Sequence, residues 1–256
     1  MHYGGEWLAS GSCFFWAFEG RTYLVTNWHN LAGRNPLTGE LMSNTGAIPD
    51  RIRFMAYKPM SEPDTQGYFE LNYLPVEVEL YKSDSTDPKW LEHPSLGRRV
   101  DVAALDVTET IDGLQIDHVN RLESDAILDP FASQDIFVVG LPFGMIANAP
   151  APIWKRGSIA LDPTFDPEGL PKMLIDTEPD IPSRVAVVIA RHIIIGRQYP
   201  KKDGSQSQTV LYSRLNLVIG IYSGRHYPDL EKAQLGIVWK RTAIEQTLEA
   251  KKVAGL

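Results

Sequence analysis

A single cysteine, Cys13, in 256 residues leaves no internal disulfide to staple the fold. The six histidines (His2, His29, His93, His118, His192 and His226) are dispersed with no pair at metal-ligand spacing, so no metal site is expected, and no cofactor. Positive charge is in deficit: 25 Lys and Arg against 32 Asp and Glu give a net charge of -7, with the basic residues scattered rather than striped. That balance excludes a nucleic-acid footprint. With hydrophobic residues at 43% and charged residues at 22%, neither disorder nor membrane spanning fits. Met1–Ser10 shows no basic stretch followed by an apolar core, so the chain is expected to work in the cytoplasm. No internal repeat is visible. No strand–helix–strand alternation appears either, which argues against doubly wound sheets and β/α barrels.

What the chain does have is many short apolar runs bounded by Gly, Pro, Asn or Asp. They fall at Cys13–Phe18, Thr22–Thr26, Ile52–Tyr57, Val76–Leu80, Val102–Val107, Ile136–Leu141, Met173–Ile175, Val185–Ile189, Val210–Tyr212, Leu217–Tyr222 and Leu235–Val238. Their length and β-branched or aromatic content predict strands and an all-β protein of the barrel or sandwich kind. One helix is expected, over Thr242–Val253, with Ile244, Leu248 and Val253 on one face as a closing element. The polar stretch Asp117–Phe131 divides the chain into lobes 1–120 and 121–256, each of about 120 residues or more and large enough for its own core. Asn35–Arg51 and Pro200–Gln208 have the composition of exposed turns.

Two stretches carry chemistry. Leu24-Val-Thr-Asn-Trp-His29 ends an apolar run on a histidine, and Asp101-Val-Ala-Ala-Leu105 follows 72 positions later, 101 minus 29. A histidine at a strand end, oriented by a carboxylate, accepts a proton from a hydroxyl nucleophile and returns it to a leaving group. Asp101 beside Arg98 and Arg99 also admits a surface ion pair, and Asp106 is a second candidate carboxylate. Cys13 is expected as a buried apolar side chain.

Gly11-Ser-Cys-Phe-Phe15 with Tyr23-Leu-Val-Thr-Asn-Trp-His29 resembles the strand–turn–strand and histidine motif of the trypsin-like serine peptidases. Asp101-Val-Ala-Ala-Leu105 resembles that family's aspartate motif. Further along, Val138-Val-Gly-Leu-Pro-Phe-Gly144, Trp154-Lys-Arg-Gly-Ser-Ile159 and Leu217-Val-Ile-Gly-Ile-Tyr-Ser-Gly224 are similar to later segments of the family, in the family's order. The resemblance covers about residues 8–245. It implies two antiparallel β-barrels with the active site between them, His29 as base and Asp101 as its orienting carboxylate. It also implies Tyr222, Ser223 and Gly224 as an edge strand that binds the substrate backbone. The partner it implies is a polypeptide substrate or an extended peptide ligand.

The third member of the triad departs from the family. Its glycine-rich nucleophile loop corresponds here to Asp180-Ile-Pro-Ser-Arg-Val-Ala-Val187. Aligned on Val188 without gaps, Arg184 takes the nucleophile position, flanked by Pro182 and Val185. Shifted by one residue, Ser183 becomes the nucleophile, but Ile181 then replaces the glycine that donates to the oxyanion. Losing one such donor costs roughly 100- to 1000-fold in rate. Two functions therefore remain open: a serine endopeptidase with the triad His29, Asp101 and Ser183, or an inactive homologue that holds an extended peptide by strand addition. Asp176, Glu178 and Asp180 would suit a basic side chain in a primary pocket and Arg225 an acidic one; all four also read as solvated loop charges.

Overall fold

The computed structural model describes residues 1–62, 64–66, 70–83, 85–121, 129–140, 152–177, 186–200, 206–224 and 235–255. At 59, 71, 186, 192–200 and 206–215 it describes backbone alone. The first half contributes β1 (His2–Tyr3), β2 (Glu6–Trp7), β3 (Phe14–Phe18), β4 (Arg21–Thr26), α1 (Trp28–Ala32), β5 (Arg51–Pro59), β6 (Leu71–Glu79), β7 (Trp90–Glu92) and β8 (Ala103–Asp106). The second half contributes β9 (Asp135–Gly140), β10 (Ile153–Ile159), β11 (Lys172–Thr177), β12 (Ala186–Pro200), β13 (Gln206–Gly224), β14 (Leu235–Lys240) and α2 (Arg241–Ala250). Strand dominates, as the short apolar runs predict. Among the described residues the named strands pair only within their own half.

In the first half the strands pair as two four-stranded sheets, β2-β1-β5-β6 and β3-β4-β8-β7. Successive side chains of a strand point to opposite faces. On β4, Leu24 enters one core with Trp28, Phe54 and Trp90, while Tyr23 and Val25 enter another that reaches the second half. Likewise Ala103 and Leu105 of β8 face the first core and Ala104 the second. Burial on both faces explains why these runs are apolar without alternation.

The second half closes into one six-stranded barrel, β10-β11-β14-β13-β12-β9. Ile136, Ile175, Val188, Ile219, Tyr222 and Val238 fill its interior, while Val139, Val187, Val218, Ile237 and Trp239 point outward into the shared core. Helix α2 packs into that same core through Ala243, Ile244 and Leu248, between the barrel and the β3-β4-β8 sheet. Gly236 leaves room for the Tyr222 ring. A Cβ there would sit 2.6 Å from Cε2 of Tyr222, so Gly236→Ala is expected to destabilise the chain by about 1–3 kcal/mol, measured by denaturant unfolding.

Three differences from the sequence expectation have physical reasons. The described ladders close one barrel where two were expected. In the first half the outer edge of β7 is taken by the chain's own tail, through the antiparallel Leu91–Val253 bridge, so that sheet stays open. The helix ends at Ala250 rather than Val253, because Lys251 turns left-handed at φ 50 and Val253 joins that bridge. Val210–Tyr212 and Leu217–Tyr222 belong to one strand, because the hydrogen-bonded register with β12 runs on through the polar residues between them.

Candidate active site

The end of β4 delivers the chain into α1 through Asn27, whose backbone is extended at φ -69 and ψ 145. The helix has five residues and is closed by Gly33, left-handed at φ 63, whose N–H donates to the His29 carbonyl at 2.9 Å. Glycine is required there twice over, since a Cβ would also lie 2.5 Å from Cδ of Pro49. Asn27 Nδ2 donates to the Asp101 carbonyl at 2.9 Å, and Asn30 Nδ2 to Thr26 Oγ1 at 3.0 Å. The turn bearing His29 is thereby tied both to its own strand and to the segment bearing Asp101.

Asp101 lies two residues before β8, whose Ala103 pairs with Thr26 of β4. This register brings the two predicted residues together. His29 Nδ1 stands 2.8 Å from Asp101 Oδ2, and the His29 backbone N–H donates to Oδ1 at 2.9 Å. The carboxylate therefore grips both the ring and the backbone of one residue. Its side chain is 1% exposed and that of His29 13%, so the pair is buried, and a surface ion pair with Arg98 or Arg99 is ruled out. Asp106 is placed elsewhere, held by Arg21 and by Thr108 Oγ1 at 2.7 Å.

The electrostatics follow from this geometry. Burial opposes charge on the His29 ring, but the charge of Asp101 and its hydrogen bond outweigh burial and raise the ring above the ordinary 6.5. Burial likewise pushes the Asp101 carboxyl up, yet the His29 charge and the hydrogen bonds from His29 and Ser223 hold it below 3.8. Asp101 is therefore ionised near neutrality and accepts the Nδ1 proton. In neutral His29 the basic lone pair then lies on Nε2, the tautomer a general base needs.

Ser223 completes the group in a way that sequence alone does not reveal. Its hydroxyl donates to Asp101 Oδ2 at 2.5 Å, 122 positions away along the chain, and its side chain is buried. Of the three residues expected to line a substrate strand, Ser223 is thus turned to the carboxylate. Tyr222 is 2% exposed inside the barrel and its backbone is paired on both sides, with Ala186 and with Val238. An open edge across the whole of Tyr222–Gly224 is therefore corrected at Tyr222. Gly224 pairs with Ile237 on the β14 side. Cys13 is exposed rather than buried.

Beside His29 lies a cavity of ≈ 470 Å³, walled by Ala9, Ser10, Asn30 and Gly33 and, across from them, by Met42 and Pro49 of the 35–51 segment. Its lining mixes apolar Ala9, Met42 and Pro49 with polar Ser10, Asn30, Ser43 and Asn44. Ser183 lies outside the described residues with the rest of 178–185, as do Leu141–Gly144 and Arg225. Among the described residues no group of three or more His, Cys, Asp or Glu is placed to hold a metal ion, and no helix is long and apolar enough to cross a membrane. No protein-family model and no curated protein matches the chain.

Proposed function

We propose that the chain is a serine endopeptidase of the trypsin-like type. The observation that carries this reading is the two-point hold of Asp101 on His29, ring and backbone together, with Ser223 on the same carboxylate oxygen. Such a hold fixes the imidazole tautomer whose basic lone pair lies on Nε2, the form a general base needs. In this reading Ser183 attacks the scissile carbonyl, His29 takes its proton and delivers it to the leaving amine, and Asp101 stabilises the imidazolium formed between the two steps. The two sheets of the first half stand for the family's first barrel, opened where the tail covers β7. Gly224, beyond the doubly paired Tyr222, is the place for substrate backbone to add.

The loop sequence Ile181-Pro-Ser-Arg184 favours a second reading, a homologue that binds an extended peptide without cleaving it. Incubation with an unstructured protein or a mixed peptide library separates the two. Cleavage by the wild type that falls to background in both Ser183→Ala and His29→Ala supports the peptidase. Peptide binding without cleavage, unchanged in Ser183→Ala, supports the binding module and overturns the peptidase.

A further inference from the structure

The site has a support that lies outside the triad. Glu92, at the end of β7, is 4% exposed, and a buried carboxylate is costly unless donors surround it. Its two oxygens face different parts of the chain. Oε2 accepts from the indole Nε1 of Trp28, the residue before His29 on α1, at 3.3 Å. Oε1 accepts from the Gly255 backbone N–H at 3.3 Å and meets Lys252 Nζ at 3.1 Å.

The tail that supplies those donors is itself docked. After the left-handed Lys251 it runs antiparallel to β7: the Glu92 N–H donates to the Lys252 carbonyl and the Ala254 N–H to the Trp90 carbonyl, both at 3.0 Å. Ala254 is buried in the same core as Trp28 and Trp90, and Lys251 Nζ reaches Glu19 at 2.6 Å. From the other side, His93 Nε2 meets Gln246 of α2 at 2.9 Å. Three residues of strand are thus clamped between the helix, the tail and α1.

We propose that the tail, residues 251–255, is a positioning element for His29, acting through Glu92 and Trp28. It rests on the reading of His29 as a base. Asp101 fixes the ring from the β8 side; Glu92, loaded by the tail, fixes α1 from the β7 side. Without the tail, Glu92 loses its Lys252 and Gly255 donors and the β7 edge that holds it, and α1 turns under the ring. A misplacement on the order of 1 Å costs a catalytic site roughly 100-fold.

The test compares the wild type with a chain ending at Ala250, with Glu92→Leu and with Trp28→Phe, which keeps an aromatic ring but replaces the indole and removes its N–H. Long-range ¹H–¹⁵N spectra of the His29 ring read which nitrogen holds the proton, and need no nucleophile. Fluorophosphonate labelling reads reactivity. The expected result is one Nδ1-protonated tautomer in the wild type and an averaged ring in the variants, with labelling slowed roughly 10- to 100-fold. A fixed tautomer with labelling within about twofold in Trp28→Phe and in the shortened chain overturns the proposal; if the shortened chain fails to fold, Trp28→Phe decides. A wild type that is not labelled while its tautomer still depends on Trp28 and the tail refutes the peptidase and leaves the tail's role standing.

Discussion

Asp101→Asn is expected to lower the reactivity of Ser183 by about 10⁴-fold, the scale set by loss of the orienting carboxylate in Ser-His-Asp peptidases. The substitution keeps the size of a side chain that is 1% exposed, so the packing around Val100 and Val102 survives. What changes is the donor–acceptor pattern. The carboxylate accepts at once from the His29 ring, the His29 backbone N–H and the Ser223 hydroxyl. An amide offers one accepting oxygen and a donating NH₂. If the oxygen stays on the backbone N–H, the NH₂ faces Nδ1 and selects the tautomer with its proton on Nε2, which abolishes the base. The rate of fluorophosphonate labelling at fixed pH checks this, and a loss smaller than about tenfold means that Asp101 does not orient His29. Ser223→Ala removes one donor and leaves the ring contact intact, so its effect is the smaller of the two.

Reactivity is also expected to rise with pH through a midpoint above 6.5, because only neutral His29 accepts a proton and Asp101 holds its ring above the ordinary value. In Asp101→Asn the attraction is gone and burial alone acts, so the midpoint of the residual activity moves below 6.5. Stability follows a different course. The raised His29 contributes stability fully below 6.5 and loses it as pH rises through its folded value. The lowered Asp101 contributes above 3.8 and loses its share as pH falls through its folded value. The difference in melting temperature between wild type and Asp101→Asn is therefore largest between 3.8 and 6.5, on the acid side of the activity profile. A difference that grows above pH 7 contradicts the account.

His29 and Asp101 were legible because each ends or begins a run that is apolar on both faces, and because the β4–β8 register makes neighbours of segments that the sequence can only place in order. Ser223 was not legible in its role, since nothing local distinguishes a serine that faces substrate from one that faces Asp101; the bulge between Tyr222 and Gly224 decides which way it turns. The resemblance places Tyr222 on a substrate-binding edge strand, whereas its ring is in the core, where Gly236 makes room for it. In β6 the sequence supports strand only from Val76, because Pro75 and Asn72 argue against it. Pro75 is tolerated because β6 is the edge of its sheet. β7 is too short at three residues to be read at all, and Glu92 is meaningful only through partners at either end of the chain. Helix periodicity in the sequence extends to Val253, because a left-handed Lys251 leaves no trace in an apolar pattern.

Mass-spectrometric mapping of a fluorophosphonate adduct tests the central claim most directly. With wild-type protein at pH 8, the account predicts one modified peptide, bearing the adduct on Ser183, and no adduct in His29→Ala. Absence of any adduct, or an adduct on another residue that persists in His29→Ala, contradicts it.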